Sequence, residues 1–164
     1  MCMIEGMKIL VVYDSLFGNT KRVAEVVADA LGRTQKVRLI ATSEAKIEDL
    51  GKADLLVVGS PTQGGRAKKE MQKFLGKIPD GGLGGVKVAA FDTRILDKEQ
   101  KAAVRLLMRT IGYAAPKIVK VLEKKGGKAV VSPEGFIVEG KEGPLAKGEV
   151  ERARNWAEDM ILHC

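Results

Sequence analysis

The chain has 164 residues, of which 45% are hydrophobic and 30% charged, so it is long enough for one domain with a full core and too apolar for disorder. No apolar run approaches the ~20 residues of a membrane-spanning helix, and residues 1–7 lack the basic and apolar regions of a signal peptide, so a cytoplasmic protein is expected. The formal charge of +7 suits an anionic partner or plain solubility, but with aromatics at 4% there is little for bases to stack on, and nucleic acid is not an expected partner.

The first six residues form a short lead-in. The run Lys8–Tyr13 reads as the first strand. It is followed by Ser15-Leu16-Phe17-Gly18-Asn19-Thr20, and then by a helical pattern from Thr20 to Leu31. Val23, Val26, Val27, Ala30 and Leu31 share one face of that helix, and Gly32 stands where a terminating glycine is expected. A strand that runs into a hydroxyl- and glycine-bearing loop and then into a helix N-terminus makes an anion site. The first N–H groups of the helix have no intrahelical partners and carry the positive end of its dipole. Residues 15–20 are therefore read as a phosphate grip.

The second strand, 36–40, alternates in polarity, and 47–50 forms a short helix. The third strand, Asp54–Gly59, is continuously apolar, as a strand covered on both faces should be. Ser60-Pro61-Thr62-Gln63-Gly64-Gly65-Arg66 ends it, because Pro61 offers no N–H to a ladder. A helix over 67–77 and a glycine-rich link lead to a fourth strand, 86–91, after which Asp92-Thr93-Arg94 read as a loop. Residues 95–112 form a helical insert. Pro116 suits the first turn of the next helix, which runs to about Lys125. A fifth strand begins at Lys128, is interrupted at Ser132-Pro133 and resumes at Phe136–Glu139, and a last helix starts near Glu149. Trp156 and Met160 on that helix read as packing residues.

The class is α/β: one domain over 7–162 with a five-stranded parallel sheet in order 2-1-3-4-5 and helices on both faces. In that order the chain reverses direction between strands one and three, and ligands bind at the carboxyl ends of those strands. The loops at 14–20 and 60–66 meet there. The two cysteines, Cys2 and Cys164, and the one histidine, His163, sit at the chain ends with no metal-ligand spacing, so no metal site is expected and a Ser-His-Asp hydrolase is excluded.

Tyr13-Asp14-Ser15-Leu16-Phe17-Gly18-Asn19-Thr20 resembles the phosphate loop of flavodoxins. Val58-Gly59-Ser60-Pro61-Thr62 with Gly64-Gly65 is similar to their second cofactor loop, and Gly135–Gly140 with Trp156-Ala157 to their C-terminal region. The resemblance implies FMN. Ser15, Phe17, Gly18, Asn19 and Thr20 would hold its phosphate. Pro61, Thr62, Gln63, Gly64 and Gly65 would line its ring, and Asp92, Thr93 and Arg94 its pyrimidine edge. It further implies an electron carrier serving a redox partner protein or a small-molecule acceptor. The alternatives are an FMN-dependent NAD(P)H or quinone-type reductase, and an interaction module with weak or lost FMN binding; no catalytic residue is diagnosable. The sequence departs from flavodoxins in its basic charge, its 95–112 insert and the absence of aromatics at 60–66 and 92–97. Arg66 or Arg94 could stack in their place, and a free cation at Arg94 would favour an anionic reduced flavin.

Overall fold

The computed structural model describes residues 6–95 and 112–164. Strands and helices alternate as β1 (Lys8–Tyr13), α1 (Asn19–Gly32), β2 (Lys36–Ala41), α2 (Ile47–Leu50), β3 (Leu55–Pro61), α3 (Lys69–Gly76) and β4 (Lys87–Ile95). Then follow α4 (Ala114–Lys124), β5 (Lys128–Ala129), β6 (Glu134–Val138) and α5 (Glu149–Leu162). The helix expected over 98–111, with nearly all of the 95–112 insert, lies outside the described residues, as does most of the lead-in.

The named strand pairings are all parallel, and the sheet order is β2-β1-β3-β4-β5, as the alternation of elements requires. The interrupted fifth strand is two strands sharing one position. β5 pairs with Lys87 and Val88 at the start of β4, and β6 pairs with Phe91–Ile95 at its end. Ser132 and Pro133 fall between them, where a residue without an N–H leaves the ladder.

Side chains alternate across the sheet and divide the core in two. Leu10, Val12, Leu56, Val58 and Val88 pack under α3 and α4 against Met71, Phe74, Ile118 and Leu122. Ile9, Val11, Leu55, Val57 and Ala89 pack against Val23 and Val27 of α1 and Ala157 and Met160 of α5. β3 is buried on both faces from Leu55 to Ser60, which explains its unbroken apolar run. Phe91, Phe136 and Trp156 meet edge to face with centroids 5.9–6.0 Å apart. The Phe91 ring also lies directly over Gly59, where a Cβ would come within 2.1 Å of it.

Two local expectations change. Gly32 lies inside α1 rather than beyond it, and Arg33 closes the helix in a right-handed conformation. The Thr34 and Gln35 N–H groups both return to the Leu31 carbonyl, so no left-handed glycine is needed. β4 continues to Ile95, because β6 pairs with its last five residues. Asp92, Thr93 and Arg94 are therefore strand residues facing alternate sides of the sheet, not a loop.

Candidate functional site

β1 and β3 end side by side, with Tyr13 opposite Gly59. The Asp14 N–H donates to the Gly59 carbonyl at 3.0 Å, which carries the chain straight out of the sheet. Ser15 Oγ accepts the Gly18 N–H at 3.0 Å and folds residues 15–18 into a tight turn. Gly18 caps α1 at φ 93°. The helical ladder includes the bond from the Arg22 N–H to the Gly18 carbonyl, so the N–H groups of Asn19, Thr20 and Lys21 lie ahead of it. Of these, Asn19 and Thr20 belong to the stretch 15–20 expected to grip a phosphate, and Lys21 does not. Thr20 is buried, and its hydroxyl meets that of Thr93 at 2.8 Å. A Cβ on Gly143 would lie 2.6 Å from Asn19 Oδ1, so the loop after β6 rests on the Asn19 amide.

The second loop is tied on both sides. The Thr62 N–H donates to the Thr93 carbonyl at 2.9 Å. Gln63 and Arg66 exchange both backbone hydrogen bonds around Gly64 and Gly65, whose φ values are 57° and 78°. Two consecutive positive φ angles are those of a type I′ turn, for which glycine is suited. The Lys117 ammonium donates to the Gly65 carbonyl at 2.6 Å and fixes that turn from α4.

The start of α4 is built into the same region. Its Ala114 N–H donates to Thr62 Oγ1 at 3.0 Å and its Ala115 N–H to Asp92 Oδ2 at 2.9 Å, while Pro116 has no N–H to satisfy. Thr62 and Asp92, both expected to face a cofactor, thus cap a helix. Asp92 is fully buried and takes both prongs of the Arg94 guanidinium at 2.6 and 2.7 Å. That guanidinium stacks 3.7 Å from the Tyr113 ring centroid, on the protein's own aromatic. Its charge is already neutralised by Asp92, so Arg94 is not the free cation that the sequence suggested.

Between these loops lies a cleft of about 180 Å³. Of the expected residues, Phe17, Asn19, Thr20, Pro61, Thr62, Gln63, Thr93 and Arg94 line it. Ser15 and Gly18 shape the loop beneath, Gly64 and Gly65 form the adjacent turn, and Asp92 is buried behind; none of these five is in the lining. Leu16, Ile95, Val138, Gly140 and Lys141 complete the wall and were not anticipated. Leu16, Phe17 and Ile95 are large apolar side chains 53%, 43% and 47% exposed at its rim. Exposed apolar groups gathered at one concave site suit a ligand with an apolar face.

A sequence model of the flavodoxin domain matches residues 10–141, most of the chain and both loops of the cleft. The chain belongs to the flavodoxin domain family. A flavodoxin of Aquifex aeolicus is 42% identical over 73 residues, which are 43% of this chain and 40% of the relative. An NAD(P)H dehydrogenase (quinone) of Cupriavidus metallidurans is 35% identical over 97 residues, covering 46% of this chain and 48% of that one. The chain thus matches less than half the length of either relative. Among solved structures, a flavodoxin from the domain Archaea superposes with a TM-score of 0.74 over 95% of this chain and 97% of that one, at 21% identity. That likeness concerns the flavodoxin fold alone. Among the described residues no helix is long and apolar enough to cross a membrane.

Proposed function

We propose that this flavodoxin-domain protein binds FMN in the cleft at the carboxyl ends of β1, β3 and β4 and acts as an electron carrier. The observation that carries the reading is the composition of one cleft: N–H donors and a buried Thr20–Thr93 hydroxyl pair at one end, and exposed Leu16, Phe17 and Ile95 around the opening. Those features fit a phosphate joined to a flat, largely apolar ring. Phe17, Asn19 and Thr20 would bind the phosphate through backbone N–H groups, supplemented by the Thr20 and Asn19 side chains, while the Gly18 N–H stays on Ser15 and shapes the loop. Thr62 and Gln63 would flank the ring, with Leu16, Phe17 and Ile95 excluding water from its faces. When bound, FMN supplies one- or two-electron redox chemistry; the protein supplies position and surroundings.

Two fixed neighbours set those surroundings. The Asp92–Arg94 pair beside the cleft is neutral overall, so it adds little net positive field. Lys117 holds the Gly65 carbonyl and keeps the second loop in one shape. The second reading is an FMN-dependent reductase of NAD(P)H and quinones, favoured by the similarity to the Cupriavidus metallidurans protein.

Titration of the apo-protein with FMN, followed by flavin fluorescence, tests the main reading. Saturable binding of one FMN per chain is expected; none at high micromolar FMN would overturn it. NADPH oxidation in the presence of a quinone by the loaded protein separates reductase from carrier.

A further inference from the structure

On the other side of the phosphate loop, toward β2, lies a second and larger groove of about 710 Å³. Its rim carries Lys21 from α1 and Lys68, Lys73 and Lys77 from α3 and its flanks. Its floor is half-buried Tyr13, Ala45 and Ile47. We propose that this groove is the docking surface for a protein partner with an acidic face.

The charges are arranged for that. Lys68 is engaged internally, 3.5 Å from Asp14 and 3.3 Å from Glu70. Burial alone would lower its pKa, but the hydrogen bonds and charges of Glu70 and Asp14 outweigh that and raise it. Lys21, Lys73 and Lys77 are exposed and form no ion pair among the described residues. Lys73 and Lys77 stand one helical turn apart on the same face, where two carboxylates of a partner could meet them together. An apolar centre with a charged rim is the layout of a protein interface.

A small anion fits less well. The buried carboxylate of Asp14 has one oxygen, Oδ2, with no hydrogen-bond partner among the described residues, and Glu70 sits on the rim. These two negative groups oppose a concentrated phosphate charge, yet leave room for carboxylates spread over a surface. The groove also shares Ser15 with the loop beside the cleft, so a partner seated there would lie next to the FMN site. That the partner exchanges electrons rests on the FMN reading; the acidic docking does not.

The test uses the ¹⁵N-labelled full chain, titrated with a short polyglutamate peptide with and without FMN. Amide shifts at Lys21, Ser43, Lys73 and Lys77 are expected, with affinity falling as salt rises from about 50 to about 300 mM. The variant K73E/K77E should bind about tenfold more weakly. The variant K124E/K128E, at the opposite edge of the sheet, should change affinity by less than about twofold. An equal loss in both variants, or shifts scattered over all lysines, would overturn the proposal. So would inorganic phosphate or a single-stranded oligonucleotide saturating the same residues more tightly than the peptide. FMN affinity measured on K73E/K77E should equal that of the parent chain. If the parent binds no FMN while the peptide still maps to the groove, the carrier reading falls and the docking surface stands.

Discussion

The hydroxyls of Thr20 and Thr93, 73 residues apart in sequence, share a buried hydrogen bond of 2.8 Å that joins the start of α1 to β4. Two hydroxyls bring two protons, and a single bond between them uses one. The other proton must find an acceptor, and both residues line the cleft. On the FMN reading that proton goes to the phosphate, while the pair locks two elements together. T20V removes a donor and a lock at once: FMN affinity should fall by about tenfold, and stability by about 1–2 kcal/mol, because Thr93 loses its buried partner. T20S keeps the hydroxyl and should restore most of the affinity. Fluorescence titration and urea denaturation measure the two effects separately, and equal FMN affinities for T20V and T20S would refute the donor role.

The Asp92–Arg94 pair is a load on stability if broken. Asp92 has no exposed surface and holds both Arg94 and the Ala115 N–H, while the Arg94 side chain is 19% exposed. D92N leaves a guanidinium largely buried without its counter-ion and should cost about 3 kcal/mol, near the low end for such a loss because Arg94 can still reach water. R94M strands a fully buried carboxylate that keeps only the Ala115 N–H, and should cost at least as much as D92N. Urea midpoints at constant m-value decide the order; a loss under about 1 kcal/mol for both variants would mean that the pair is not what anchors α4.

Gly59 is held small by Phe91. G59A places a methyl group within 2.1 Å of the ring and should destabilise by about 2–3 kcal/mol through overpacking. F91L shortens the opposing side chain, so G59A/F91L should lose less than the two single variants combined. Strict additivity in chemical denaturation would show that some other contact constrains Gly59.

The sheet order and the location of the cleft were legible because both rest on local signals that repeat: apolar runs of strand length, helical stripes and a proline or glycine where each strand stops. Every residue placed on the inner face of the first helix, Val23 through Leu31, is buried. What was not legible depends on pairing between distant segments. β4 reads as ending at Phe91 because Asp92 and Arg94 are charged, and only the partnership with β6 and the cap on α4 make those charges acceptable inside a sheet. The wall from Val138 to Lys141 was missed for the same reason: nothing local says that a loop 120 residues downstream leans on Asn19. The Asp92–Arg94 pair is fixed by the strand, which puts both residues on one face; in a loop the same spacing would fix nothing.

Glu149 should set part of the acid sensitivity of the fold. It is the first residue of α5, and its carboxylate accepts the Ile137 N–H of β6 at 2.6 Å and the Arg152 guanidinium at 2.7 and 3.0 Å. Arg152 in turn bonds Glu134 and the Gly135 carbonyl and lies over the Phe136 ring. The Arg152 hydrogen bond, opposed by burial and aided by the Ile137 N–H, holds the Glu149 pKa below its ordinary value of 4.5. A depressed folded-state pKa means that the unfolded chain takes up the proton first as pH falls. The stabilisation is therefore complete above about pH 4.5 and disappears as pH drops through the lower folded-state value. E149Q cannot ionise, so the stability difference between parent and variant should be constant near neutrality and shrink below pH 4.5, by at most about 1.4 kcal/mol per pH unit for one proton. Urea denaturation of both proteins from pH 7 to pH 3 measures that difference directly. A gap that stays the same at pH 3 as at pH 7 would mean that the Glu149 charge does not hold β6 to α5.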